Sequence, residues 1–145
     1  MSGYTYSITL NLIIDTTNKV NRPFLTTYFG DGDSTAITTY TINSGKIQIY
    51  VYSYVHTYNS PGVYNIYFTD KYRVNGIKNM DNSVTKSIYV ETLLNFNQFT
   101  NNTAFITTNY PITFTSVVGN QVKWNPGAYD FDGDSLSYEL INCAI

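Results

Sequence analysis

Three aspartates at alternate positions, Asp130, Asp132 and Asp134, with Gly133 between the last two, make AYDFDGDSLSYEL (residues 128–140) the stretch richest in chemistry. Hard cations such as Ca²⁺ need several oxygen ligands, and carboxylates spaced by two around a glycine bend can converge on one ion. The spacing is not that of an EF-hand. With Asp130 as the first position, glycine falls fourth rather than sixth, and Glu139 tenth rather than twelfth. A full Ca²⁺ shell would draw further oxygens from backbone carbonyls, from the region of Glu91, or from residues past Ile145. The competing reading is a turn whose aspartates accept hydrogen bonds from local backbone N–H groups.

The Asp-Gly-Asp-Ser string occurs a second time, in GDGDS at Gly30 to Ser34. Here the expected role is structural: glycines supply positive φ in a tight hairpin, and Asp31 accepts backbone hydrogen bonds. No Lys-Ser/Thr pair follows these glycines, so they do not form a phosphate-binding loop. His56 is the single histidine, and with Ser53, Ser60 and the aspartates it supplies the residue types of a hydrolytic triad. No Gly-x-Ser-x-Gly elbow accompanies them, and no catalytic residue is assigned. Glu91 and Glu139, the two glutamates, fall in separate modules, which gives no paired carboxylates for glycoside hydrolysis. Tyr50, Tyr52 and Tyr54 share one face of a strand. Such a row can stack sugar rings, or it can pair across strands and pack against a second sheet. Asn101-Asn102-Thr103 matches a glycosylation acceptor and is read as a polar linker.

These residues need a scaffold, and composition makes it all-β. Aromatics are 17 % of the 145 residues, with fifteen tyrosines against one tryptophan, and charged residues only 12 %. Tyr, Thr and β-branched residues suit pleated, half-buried surfaces, while good helix formers are scarce. A net charge of -2 offers no electrostatic case for nucleic acid or an anionic membrane. One cysteine, Cys143, precludes an internal disulfide or a Cys-based metal site. No apolar run reaches the roughly twenty residues of a membrane-spanning helix. The start, MSGYTYSIT, lacks the basic and apolar regions of a secretory leader, which leaves a cytosolic protein or an excised piece of a longer secreted chain; the abrupt start and stop in strand-like sequence favour the piece.

In YTYSITLNLII, Tyr4, Tyr6, Ile8, Leu10, Leu12 and Ile14 alternate with polar residues, which is a strand. FLTTYF, TAITTYTI, KIQIYVYSYVH, VYNIYFTD and VTKSIYVE continue the pattern, separated by Gly-, Asn- and Pro-bearing turns. LLNFNQFTNN reads as a junction. AFITT, ITFTSVV, QVKW and SLSYELI are then short strands of a second module. The expected organisation is a sandwich over residues 1–94 and the N-terminal part of a second over 95–145, since a complete one needs about 100 residues.

YFGDGDS (Tyr28 to Ser34) followed by HTYNSPGVYNIYFTD (His56 to Asp70) resembles the polycystic kidney disease (PKD) domain, which pairs an aromatic-Phe-Gly-Asp-Gly turn with a later His-Thr-Tyr, Pro-Gly, Tyr strand. Tyr28 stands where the family usually has Trp, and the segment from Thr35 to Tyr54 is longer than usual. The resemblance covers roughly the first ninety residues and implies an immunoglobulin-like β-sandwich in which His56 is structural. NPGAYDFDGDSLSYEL is similar to segments of cadherin-like and other Ig-like repeats of large bacterial surface proteins. The order of the two modules is similar to repeats of Bacteroidetes surface proteins associated with gliding motility and type IX secretion. What the resemblance implies is a non-catalytic, extracellular adhesion module that extends a stalk. Its partners would be neighbouring domains of the same chain and surface glycans or proteins. Ca²⁺ at Asp130, Asp132 and Asp134 would stabilise it, with the dissociation constant of about 10⁻⁴ to 10⁻³ M usual outside cells. The alternative is a carbohydrate-binding accessory module of a secreted polysaccharide-degrading enzyme, using Tyr50, Tyr52 and Tyr54.

Overall fold

A computed structural model describes residues 4–16, 21–36, 40–71, 73, 75–78, 80–97, 101–106, 117–121 and 127–142. The chain is all-β, and it divides into two compact units, Met1–Gln98 and Phe99–Asn142. The first is built from two antiparallel sheets. β1 (Tyr4–Asp15), β5 (Ile47–Tyr58) and β4 (Tyr40–Ser44) form one, in the order β1-β5-β4. β3 (Ser34–Ala36), β2 (Thr26–Tyr28), β6 (Val63–Asp70) and β7 (Ile88–Asn95) form the other, in the order β3-β2-β6-β7.

The β1–β5 pair is the spine of the first sheet. It runs in unbroken register from Tyr4 opposite Tyr58 to Asp15 opposite Ile47. That register sets Ile8, Leu10 and Leu12 against Tyr54, Tyr52 and Tyr50. Because side chains alternate across a strand, this shared face turns inward as one apolar surface. It meets Ile66, Phe68, Leu94 and Ile88 of the second sheet, with Leu25, Phe29 and Phe96 closing the core. This is a β-sandwich.

Three details differ from the sequence reading. TAITTYTI is two strands rather than one: β3 pairs with β2, whereas β4 pairs with β5 in the other sheet. Leu94 and Phe96 are buried in the first core, so the first unit runs past residue 94 to Gln98. In the tail of the second unit, residues 135–141 are exposed and pair with no strand among the described residues. An apolar-polar alternation makes a strand only when a neighbour accepts its backbone bonds. The expected strands ITFTSVV and QVKW fall largely outside the described residues.

Both ends of the first sandwich lie at one pole. β1 begins opposite the end of β5, and β7 ends opposite the start of β6, with residues 59–62 joining those two strands. The Phe96 ring accordingly lies 5.1 Å from Tyr4 and 5.0 Å from Tyr6.

Candidate functional site

The GDGDS loop closes the β2–β3 hairpin, in which Tyr28 faces Ser34 and the Phe29 N–H donates to the Asp33 carbonyl at 3.0 Å. Asp31 folds its carboxylate back to accept from the Asp33 N–H at 3.1 Å. Gly30 sits at φ 85°, and a Cβ there would stand 2.7 Å from both the backbone N and O of Asn65. Only glycine lets the loop pass so close to β6 in that conformation. The loop is thereby fixed beside β5, where His56 occupies an inward position.

His56 is held on three sides. Its ring stacks on Phe29 at 4.1 Å, meets Tyr58 edge-on at 4.6 Å, and its Nε2 lies 2.7 Å from Asp31 Oδ2. Burial pushes the Asp31 carboxyl up, but the hydrogen bonds from His56 and from the Asp33 N–H outweigh it and hold it below its ordinary value. The ligand atoms of Asp31, Asp33 and His56 all lie within 4.8 Å of one another. Sequence reasoning gave Asp31 its backbone bond and His56 a structural role. It missed their pairing, because the two are 25 positions apart and only the packing of β5 against the loop joins them.

The Tyr50, Tyr52 and Tyr54 row is not a sugar platform. The three residues are 5 %, 0 % and 2 % exposed, so no ring face is open to a pyranose. Their hydroxyls instead cross the core to the segment entering β2. Tyr52 donates to the Arg22 carbonyl at 2.6 Å, Tyr54 to the Leu25 carbonyl at 3.1 Å, and Tyr50 to Asn21 Oδ1 at 3.3 Å. Tyr58 extends the series to the Phe29 carbonyl at 3.0 Å. Burial first, then neighbouring Tyr50 and Tyr54, push the Tyr52 phenol well up, while burial and then Asp31 raise Tyr58 to about 12. Arg22 adds an ion pair to Asp70 of β6 at 3.0 Å. Three tyrosines of one strand, Tyr52, Tyr54 and Tyr58, thus brace the two sheets through the backbone of residues 22–29, and Tyr50 adds a bond to the Asn21 side chain.

A second tyrosine row lies on the outside, across three strands. Tyr28 of β2 stacks on Tyr67 of β6 at 4.8 Å, and Tyr67 on Tyr89 of β7 at 5.6 Å. Beside it Glu91 accepts from the Tyr89 hydroxyl at 2.6 Å and from Asn65 Nδ2 at 2.9 Å, bonds that lower the Glu91 carboxyl. No one strand carries two of these tyrosines in a row, so only the sheet register could have revealed them.

In the second unit, β8 (Phe105–Ile106) pairs with β9 (Ala128–Tyr129), and the acidic loop follows β9 directly. The loop's carboxylates do not gather as expected. Asp130 is buried, and its Oδ1 accepts from the backbone N–H of Asp132 at 2.8 Å and of Asp134 at 3.2 Å. Asp132 accepts from the Asn102 N–H at 2.6 Å and from Asn102 Nδ2 at 3.1 Å. Among the described residues, Asp31, Asp33 and His56 form the cluster whose donors converge, and the 130–134 carboxylates do not. Asp130 serves a turn, the role that the competing sequence reading gave the aspartates, whereas Asp132 clamps onto the segment entering β8, 30 positions away, which that reading did not foresee. No helix among the described residues is long and apolar enough to cross a membrane.

No family model matches the chain, and no curated protein or solved structure does either.

Proposed function

We propose that this chain is a non-catalytic structural and adhesion module of an extracellular, multi-domain surface protein. The observation that supports this reading is the tyrosine brace. Three buried tyrosine hydroxyls of β5 are committed to the backbone of the segment around β2 in the other sheet, and the single histidine is packed between two aromatic rings and a carboxylate. Polar chemistry spent on rigidity suits a body that must stay folded outside the cell.

Chymotrypsin provides the test, because it cuts after aromatic residues and this chain has fifteen Tyr and eight Phe. A braced module leaves a long-lived fragment close to Met1–Gln98 while other sites are cut. Rapid cleavage within Ile47–Tyr58 would refute the proposal, since those tyrosines are reached only through opening of the sandwich.

A second reading, glycan binding, has one observation in its favour, the outer row of Tyr28, Tyr67 and Tyr89. Tyr28 is 38 % exposed, and its strand partner on the side away from Tyr67 is Ser34, a small exposed residue. Affinity electrophoresis in gels containing soluble polysaccharides separates the readings. Retardation abolished by Tyr28→Ala favours glycan binding, and unretarded migration in every polymer favours the purely structural module.

A further inference from the structure

We propose that Asp31, Asp33 and His56 form a binding site for a first-row transition-metal dication, with Zn²⁺ the reference ion. The donors come from both halves of the sandwich: two carboxylates from the β2–β3 hairpin of one sheet, and an imidazole from β5 of the other. Zn²⁺ takes His nitrogen and carboxylate oxygen at about 2.0–2.2 Å, so donors around one ion stand roughly 3 to 3.5 Å apart. Here Nε2 of His56 and Oδ2 of Asp31 are 2.7 Å apart, and all three donors fall within 4.8 Å. Loading the ion therefore requires the first pair to open slightly and the exposed Asp33 side chain to swing in by about 1–2 Å, given those bond lengths.

Three features make the cluster more than a group of surface charges. Imidazole nitrogen selects borderline ions over Ca²⁺ and Mg²⁺, which take oxygen shells. The imidazole is oriented before any ion arrives, because Phe29 covers its face and Tyr58 meets it edge-on. Rings and ligands locked by packing are what a precise site requires. Finally, Asp33 brings a second carboxylate that has no hydrogen-bonding side-chain partner among the described residues, so the site holds more negative charge than His56 can neutralise. Water would complete the shell on the exposed side. An ion there would tie the two sheets together at the pole where β1 begins and β7 ends.

The test is a set of thermal melts on the full chain carrying Cys143→Ser, which removes the single thiol. The samples are chelator-treated protein, and the same protein with Zn²⁺ or Ca²⁺. Zn²⁺ should raise Tm by roughly 10 °C at an ion concentration about 100 times the dissociation constant, with no such rise from Ca²⁺. Asp33→Asn should remove the response while leaving the metal-free Tm nearly unchanged, because the His56–Asp31 bond does not involve its carboxylate. An unmoved Tm in Zn²⁺ overturns the site, and so does a Zn²⁺ response that survives in Asp33→Asn and His56→Gln. Should the variants fail to fold, electron paramagnetic resonance of the untagged wild-type chain with one equivalent of Cu²⁺ decides the matter. His56 is the single histidine, so hyperfine coupling to one imidazole nitrogen supports the site, and an oxygen-only spectrum overturns it.

Discussion

Removing one hydroxyl from the core strand tests the brace directly. In Tyr52→Phe the ring is kept and the 2.6 Å bond to the Arg22 carbonyl is lost. Tyr52 is fully buried, so the change leaves the Arg22 carbonyl of this part-buried bond facing a ring edge where the hydroxyl had been. Leaving a buried acceptor unsatisfied costs about 1–3 kcal/mol, against roughly 1 kcal/mol for an ordinary exchange of hydrogen bonds with water. For a unit of this size, 2 kcal/mol lowers Tm by roughly 10 °C. Tyr58→Phe, whose 3.0 Å bond to the Phe29 carbonyl is buried, should fall at least in the same range. Tyr50→Phe should cost less than about 0.5 kcal/mol, because its acceptor is the side chain of exposed Asn21 at 3.3 Å and water can replace the phenol there. Urea melts of the three variants, analysed at a common m-value, give the ranking. A Tyr52→Phe loss below about 0.5 kcal/mol would show that ring packing holds the sheets and the hydroxyls add nothing, and equal losses in all three would show that burial of the acceptor does not set the cost.

Gly30→Ala should destabilise by roughly 2–5 kcal/mol in a urea melt, combining a left-handed backbone with a clash against Asn65, while Gly32→Ala, with open space around its Cβ, should cost only about 1–2 kcal/mol. Thr27 is buried, and its hydroxyl has no hydrogen-bond partner among the described residues, so Thr27→Val should be neutral or stabilising by up to about 1 kcal/mol in the same assay. Alkaline pH should unfold the first unit: folding raises the phenols of Tyr52 and Tyr58, so their contribution is complete below the unfolded value near ~10 and is lost as pH climbs from there towards the folded value of about 12 for Tyr58. Phenolate absorbance followed together with circular dichroism should show exposed tyrosines ionising first and the buried ones only as structure is lost; a single titration step with an unchanged spectrum counts against this.

The class of fold was legible because β1 alternates cleanly and tyrosine and threonine dominate the remaining strands. Which face of β5 turns inward was not. Ile47, Ile49 and Val51 are as apolar as Tyr50, Tyr52 and Tyr54, and only the register with Ile8, Leu10 and Leu12 decides between them. The same ambiguity suggested a sugar platform where the molecule has its core. Short-range chemistry was readable in Asp31 and Asp130, each of which bonds a backbone N–H two residues on. Long-range chemistry was not: the pairing of Asp31 with His56, and the Tyr28, Tyr67, Tyr89 row, arise from packing and register between distant strands. The break of TAITTYTI into strands of different sheets has no punctuating glycine or proline to announce it.

The meeting of β1's first residues with Phe96 bears on how such a unit sits in a longer polypeptide. A link in a chain takes tension at one end and passes it on at the other, along its own length. This sandwich receives and returns the backbone at the same pole, with Tyr4, Tyr6 and Phe96 in ring contact there. Tension between those points runs across the doorway and leaves most of the body unloaded. It would peel β1 from β5 one pair at a time, starting with Tyr4 and Tyr58, instead of shearing twelve pairs at once. Within a longer polypeptide such a unit would hang beside the main path as a pendant, adding bulk and surface and little reach. Neighbouring ends also make the fold suited to insertion within a host domain, and to a circular permutation that joins residues 4 and 97 and opens the chain in the Asn43 to Lys46 hairpin.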